Sequence, residues 1–235
     1  MKTKSEIIYF DDHLIIVDKS AGVTTVADRT GKSDSYLLKW LHSQFDEVYP
    51  VHRLDTNTSG LVAFARHLDE QRRLSQIFEE RLVIKKYKAL VIGIPSPANG
   101  TINKPILRLP NKNQVVISNN GKESVTHYEI LETFKSFSLL DVTPSTGRTH
   151  QIRVHLQHIG HPLLVDPLYG GQEAFYLSSV KYNFRGRKDE ERPLLQRTPL
   201  HAYFLSFPDQ KGMKLSFESA LPKDIAAVLK QLSKL

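Results

Sequence analysis

Between Ile7 and Phe217 the apolar residues of this chain fall in short runs broken by turn-forming residues, and that punctuation constrains the fold most. Short bounded runs suit β-strands, whereas a helix needs a longer stretch with 3.6-residue spacing. Residues 7–10 and 14–18 flank Asp11-Asp12, which predicts a hairpin turn. Residues 61–65 read as a buried strand, and residues 87–92 as a strand ended by Gly93 and Pro95. Residues 115–118 and 124–131 lie on either side of Asn119-Asn120-Gly121, a hairpin signal of its own. Residues 137–142 follow as another strand, and 201–207 with 214–217 read as a late strand pair.

Helical spacing is confined to a few stretches. Ser33 or Asp34 is placed to cap a helix through about residue 45, with Leu37, Leu38 and Leu41 on its apolar side. Asp69 opens a second, with Leu74, Ile77 and Phe78 facing inward. Residues 149–159 place Ile152, Leu156 and Ile159 on one stripe and stop at Gly160. Pro222 starts a terminal helix with Ile225, Val228, Leu229 and Leu232 as apolar positions. Many strands, few helices and no regular βαβ alternation make an α+β pattern.

A length of 235 residues is enough for one large domain, or two joined lobes, with a core that needs no staple. Cysteine is absent, which excludes disulfides and thiolate metal sites and makes a reducing cytoplasm the natural setting. The polar start, Met1 to Glu6, is no signal peptide, and no apolar stretch approaches the roughly 18 residues of a membrane span. The formal net charge of +7 favours a polyanionic partner, chiefly nucleic acid or an anionic membrane surface. Lys181, Arg185, Arg187, Lys188, Arg192 and Arg197 face only three acids in residues 181–197. Arg81, Lys85, Lys86 and Lys88 surround the aromatic Tyr87, a combination that suits a phosphate backbone with a base stacked nearby. Two solvated basic faces would look the same.

Several motifs imitate known sites and fail on inspection. Gly31-Lys32-Ser33 resembles the end of a phosphate-binding loop, but position 26 is Val26 where that loop needs glycine. His52-Arg53-Leu54-Asp55 has the wrong order for a kinase catalytic loop, and no glycine-rich loop lies upstream. Asp55-Thr56 continues with Asn57 where an aspartic protease has glycine, and the second half of the dyad is missing. His150, His155, His158 and His161 crowd four of the ten histidines into twelve residues. No carboxylate joins them before Asp166 and there is no His-Glu-x-x-His helix, so structural or RNA-facing roles are expected rather than a metal.

Two segments concentrate reactive groups. The first, Val51-His52-Arg53-Leu54-Asp55-Thr56-Asn57-Thr58-Ser59-Gly60-Leu61, gathers a cation, a carboxylate and hydroxyls just before a buried strand. Groups at the mouth of a rigid strand are well placed for catalysis, yet Asp55, Thr56, Asn57 and Ser59 are also ordinary turn residues. The second runs from Ser145 to Leu156. Arg148 and Arg153 bracket a helix start that Thr149 is placed to cap, and the free N–H groups there would attract an anion. An arginine on such a helix can pair with a carboxylate and hold it ionised, although two surface arginines would have the same spacing.

These residues carry a resemblance. His52 to Gly60 resembles the His-Arg-Leu-Asp-x-x-Thr-Ser-Gly signature of the RluA-type pseudouridine synthases, RNA uridine isomerases. Gly147-Arg148-Thr149-His150-Gln151-Ile152-Arg153 resembles their second signature. Its continuation is similar too, through His155-Leu156 and Gly160-His161-Pro162 to Asp166-Pro167-Leu168-Tyr169-Gly170. Lys86-Tyr87 with Ala89 is similar to the strand motif that supplies an active-site tyrosine, and Leu200-His201-Ala202 to a further marker. The likeness runs in order from about Ile8 to Ile225. Two departures stand out: Asp18-Lys19-Ser20-Ala21-Gly22 replaces Asn-Lys-Pro-x-Gly, and Val165-Asp166 replaces Gly-Asp.

The resemblance implies a mixed, mainly antiparallel central β-sheet flanked by helices, with a central RNA-binding cleft. It implies one catalytic domain over residues 1–235, without the small RNA-binding module that precedes it in many relatives. Pseudouridine formation is an isomerisation without redox change, so it implies no cofactor, metal or nucleotide. Asp55 would be the nucleophile on a flipped-out uridine in ribosomal or transfer RNA, Arg153 its ion-pair partner, and Tyr87 a stacking surface that assists proton removal. Arg53 would fill the vacated stack or hold a phosphate. Ile152 and Leu200 would wall the uracil pocket, with His52, Lys86 and Arg148 among the RNA contacts. The protein is expected to be a monomer, away from membranes. The alternative is a non-catalytic RNA-binding or ribosome-assembly relative, which would give no reason for a central carboxylate.

Overall fold

The structure is a computed structural model that describes residues 5–27, 36–110, 112–182, 184, 186 and 190–234. Gly31, Lys32, Ser33, Asp34, Arg185, Arg187 and Lys188, singled out above, lie outside the described residues. In chain order the elements are β1 Glu6–Phe10, β2 Leu14–Lys19, α1 Leu37–His42, β3 Tyr49–Pro50, β4 Ser59–Ala65 and α2 Leu68–Glu79. There follow β5 Ile84–Ile92, β6 Asn99–Asn103, β7 Ile106–Arg108, β8 Val115–Ile117, β9 Val125–Thr133, β10 Phe137–Pro144 and α3 Gln151–His158. A 3-10 turn at Leu177–Ser179, β11 Leu200–Pro208, β12 Lys214–Glu218 and α4 Lys223–Leu232 complete the chain. Mixed sheet with few helices is the α+β class that the sequence pattern gives. Two compact units are distinguished: Met1–Lys85 with Ala202–Ala220, and Lys86–His201 with Leu221–Leu235.

In the first unit β1 and β2 form the expected hairpin, and β2 pairs antiparallel with β4 in the register Leu14↔Ala65, Ile16↔Ala63, Asp18↔Leu61. The turn is held by Asp11, whose Oδ1 accepts the N–H groups of His13 and Leu14 at 2.8 and 2.7 Å. Every residue of β4 is buried. Leu14, Ile16, Leu61, Ala63 and Ala65 share one face by the two-residue period of a strand, and pack with Leu74, Ile77 and Val83. Leu74 and Ile77, three residues apart on α2, bring the helix onto that face. Gly60 has φ +113°, and a Cβ there would sit 2.2 Å from the carbonyl oxygen of Ala202, so only glycine lets the two backbones approach.

The first helix is shorter than its apolar spacing predicts. It begins at Leu37 with Tyr36 as an N-cap that makes no side-chain bond. The carbonyls of Thr24 and Thr25 instead take the N–H groups of Leu37 and Leu38 at 2.9 and 3.0 Å. A loop thus satisfies the orphan donors that a capping side chain would otherwise serve.

In the second unit β5, β10, β9 and β6 pair antiparallel in that order, with Tyr87↔Val142 and Lys88↔Asp141 across β5 and β10. Leu90, Phe137, Leu139, Leu164, Phe175 and Leu195 form the core with Ile225, Val228 and Leu232 of α4. The hairpin expected at Asn119-Asn120-Gly121 does not form as predicted. A turn is there, with the Gly121 N–H donating to Ser118 O at 2.8 Å, but β8 pairs with β7 and β9 pairs with β6 and β10. Lys122 folds back onto Ile106 through a reciprocal pair of backbone bonds, both 2.9 Å. A Cβ on Gly121 would lie 2.4 Å from the Ile106 backbone, so this glycine serves a close approach rather than a two-residue loop.

Candidate active site

Asp55 lies on the segment between β3 and β4, in the first unit. Its own carbonyl accepts the Thr58 N–H at 3.1 Å, closing a turn. The residues on either side are fixed through their main chains. The Thr25 hydroxyl donates to Leu54 O and accepts from Leu54 N, each at 3.2 Å. The carbonyl of Thr56 accepts from Gly22 N at 2.8 Å and from Lys19 Nζ at 3.1 Å. Lys19 is wholly buried and also donates to Ser20 O and Val23 O at 3.1 and 2.8 Å. A buried ammonium is costly unless bonded, and these carbonyls supply the bonds. The loop after β2 therefore clamps the Asp55 turn from both ends, while Asp55 keeps partial exposure and Arg53 is exposed.

His52 sits where β3 gives way to that turn. Its Nε2 accepts the Ala63 N–H at 3.0 Å, which places the ring proton on Nδ1. The ring stacks on Phe78 at 4.8 Å and 25°. Burial first, and then the charge of Lys85, push its pKa down to about 3. Lys85 lies 5.5 Å from the centroid of the Phe78 ring, and burial lowers its pKa as well.

The second signature builds a side-chain network in the second unit. Arg153 makes a forked pair with Asp166, Nε to Oδ2 at 2.7 Å and Nη2 to Oδ1 at 2.8 Å. Its side chain is 11% exposed and that of Asp166 is 1% exposed. The guanidinium also lies 4.9 Å above the centroid of Tyr169. The Tyr169 hydroxyl accepts the Val115 N–H at 3.0 Å and is also hydrogen-bonded to His150 Nδ1 at 2.9 Å. His150 needs that anchor, because it takes a left-handed backbone, φ 50°, as the N-cap of α3. Thr149 does not cap the helix as its position predicts. Gln151 reaches back instead, its Oε1 accepting the Arg148 N–H at 3.0 Å and the Thr146 hydroxyl at 2.7 Å. Arg148 is exposed and its Nε donates to Glu123 O at 3.3 Å.

Ile152 and Leu200 are buried at 6% and 4% exposure, and Tyr87 at 9%. Lys86 is partly exposed, while Lys88, placed above with the basic cluster, lies 3.8 Å from Asp141. The crowded histidines have separate partners. His155 Nε2 donates to Lys104 O at 3.0 Å, so its Nδ1 accepts the Thr126 hydroxyl at 2.9 Å, and burial lowers its pKa. His161 Nδ1 bonds Ile92 O at 3.0 Å. Among the described residues no group of three or more His, Cys, Asp or Glu side chains converges as a metal site. No helix among them is long and apolar enough to cross a membrane.

Two participants escape a reading of the sequence by spacing, and both left a signal. Lys19 follows the apolar run Leu14-Ile15-Ile16-Val17 by two residues, at the end of a buried strand, and is itself buried. Asp166 is the sole acid between Asp141 and Glu173, hence the one local carboxylate for an internal arginine.

Comparisons with known proteins agree with the motifs. The model of the family described as RNA pseudouridylate synthase matches residues 13–158. The chain is 40% identical over 243 residues to an uncharacterised RNA pseudouridine synthase of Chlorobaculum parvum, covering 96% of this chain and 73% of that protein. It is 37% identical over 235 residues to ribosomal large subunit pseudouridine synthase D of Pseudomonas aeruginosa, covering 97% and 71%. Human RNA pseudouridylate synthase domain containing 4 shares the fold with a TM-score of 0.74 at 25% identity, over 97% of this chain and 92% of that one.

Proposed function

The chain belongs to the RNA pseudouridylate synthase family, and from that premise we propose that it isomerises uridines of ribosomal RNA, transfer RNA or both, with Asp55 as nucleophile. It is an RNA pseudouridine synthase, an isomerase. The observation that carries the finer reading is the clamped turn: the family match spans Asp55, and the neighbours of Asp55 are bound by main chain on both sides. Large-subunit ribosomal RNA is the first substrate to test, since the Pseudomonas aeruginosa relative is named for it.

In this reading a uridine is everted from its stack and bound in a basic cleft, in the cytoplasm, by a monomer. The Asp55 carboxylate attacks the ribose or the uracil, the bond from ribose C1′ to N1 breaks, and the base turns. A bond then forms from C1′ to C5, the bond to Asp55 breaks and returns the carboxylate, the C5 proton leaves, and N1 takes up a proton, so product and substrate are isomers. Arg153 is assigned the counter-charge role from its motif alone, and its forked pair with Asp166 fixes the guanidinium plane. Tyr87 stacks on the uracil and assists loss of the C5 proton. Ile152 and Leu200 wall the pocket. Arg53 occupies the vacated stack or a phosphate, and Lys86 and Arg148 bind backbone with a salt-dependent affinity.

Mapping pseudouridines across total RNA of a deletion strain and its parent tests this. At least one uridine of ribosomal or transfer RNA is expected to lose its modification and to regain it from the purified protein. Identical maps, with no product on either RNA in vitro, would overturn the substrate assignment. Tyr87→Phe is expected to bind RNA as the parent does and to form product more slowly.

A further inference from the structure

We infer that His52 is a positioning residue for Asp55: its imidazole takes the place of the next strand bond after β3 and turns the chain out of the sheet toward the nucleophile. This rests on the functional reading above for what Asp55 does. β3 pairs with β4 only through Tyr49↔Ala65 and Pro50↔Phe64. The next donor along β4 in that direction is the Ala63 N–H, and it is the ring of His52, not a carbonyl, that accepts it at 3.0 Å. A ladder continued by main chain would carry residues 53–55 along the sheet. A ladder ended by a side chain frees the backbone to leave, and the Thr25 clamp receives it at Leu54.

The ring fits this duty only when uncharged. A proton on Nε2 would face the Ala63 N–H donor against donor, leaving both unmatched in a partly buried setting. On β5, Lys85 is the charged group that acts on the imidazole, and its ammonium opposes a second positive charge beside it. From α2 the ring meets Phe78, which fixes its plane and brings no charge. The arrangement therefore holds one tautomer, with Nδ1 protonated and Nε2 accepting.

Imidazole nitrogen NMR on the full chain, with turnover on a ribosomal RNA transcript beside it, tests the inference. His52 is expected to show the Nδ1–H tautomer and no titration between about pH 8 and 5, where an ordinary histidine changes charge. Lys85→Met is expected to raise its titration midpoint. His52→Phe keeps the stack on Phe78 but offers no acceptor, and is expected to lower kcat about 10- to 100-fold with KM changed less than about threefold, as a displaced catalytic group does. His52→Gln restores an acceptor and is expected to recover most of kcat. An ordinary titration of His52, or a His52→Phe effect confined to KM, would overturn the inference and make His52 an RNA contact. Wild-type protein that makes no pseudouridine would sink the functional reading instead, while the spectrum still decides the state of the ring. Should His52→Phe fail to fold, the spectrum and His52→Gln carry the decision.

Discussion

The turn that carries Asp55 and the helix that carries Arg153 are held in opposite ways. Around Asp55 the bonds go to backbone: Leu54 and Thr56 are gripped through their carbonyl and amide groups by Lys19, Gly22 and Thr25. Around Arg153 the bonds go to side chains: a buried carboxylate, an aromatic face and a histidine with left-handed backbone form one network. Gripping a loop by its neighbours' main chain fixes where the side chain between them starts. Gripping a guanidinium by its own nitrogens fixes the plane of the charge. Either treatment gives a side chain a rigid setting.

The comparison is easiest to break on the arginine side. Asp166→Asn keeps the shape of the side chain but removes a charge that is 1% exposed, leaving Arg153 with a neutral partner. Breaking a buried pair in this way costs about 3–5 kcal/mol, which a denaturation curve would register, and turnover should fall with it. An unchanged midpoint would show that Arg153 does not depend on the fork.

On the loop side a smaller effect is expected. Lys19→Met keeps the volume of the stem and deprives the carbonyls of Ser20, Val23 and Thr56 of a donor. The cost should be about 1–3 kcal/mol, the range for buried acceptors left unmatched. If the clamp matters for placement, kcat should fall further than global stability accounts for. A parallel loss in both would reduce Lys19 to a fold residue.

Acid sharpens the comparison because burial lowers the pKa of a histidine in each unit, His52 in the first and His155 in the second. Both have folded-state pKa values below the unfolded one, so unfolding takes up protons and stability is full only above the unfolded value, about 6.5. It should decline as pH falls from there, for His52 across the window down to about 3. Each group contributes at most about 1.4 kcal/mol per pH unit. His52→Gln and His155→Gln should each flatten the slope measured by denaturant titration at successive pH values. A slope unchanged in both would mean that neither ring is held neutral.

Much of the fold was legible because it rests on local pattern. The hairpin at Asp11-Asp12, the buried run at Leu61, the helix face of Leu74 and Ile77 and the start of α4 at Pro222 all follow from spacing and turn chemistry. What stayed hidden depended on partners distant in sequence. Thr149 looks like a cap until Gln151 folds back, and Asn119-Asn120-Gly121 looks like a hairpin until Ile106 claims Lys122. Leu37 was legible as buried, yet the donors at its helix start are met by Thr24 and Thr25 rather than by a side chain just upstream. Asp55, Lys19, Arg153 and Asp166 all stand inside segments that resemble family motifs, but the pairing of Lys19 with Thr56 and of Asp166 with Arg153 is visible only once the chain is folded.

Single-turnover assay of Asp55→Asn on a ribosomal RNA substrate, with RNA affinity measured in parallel, puts the nucleophile itself to the test. The variant is nearly isosteric and cannot attack, so it should bind RNA within about threefold of the parent and form no pseudouridine, a loss of the whole covalent route. Product at the parental rate would remove Asp55 from the chemistry.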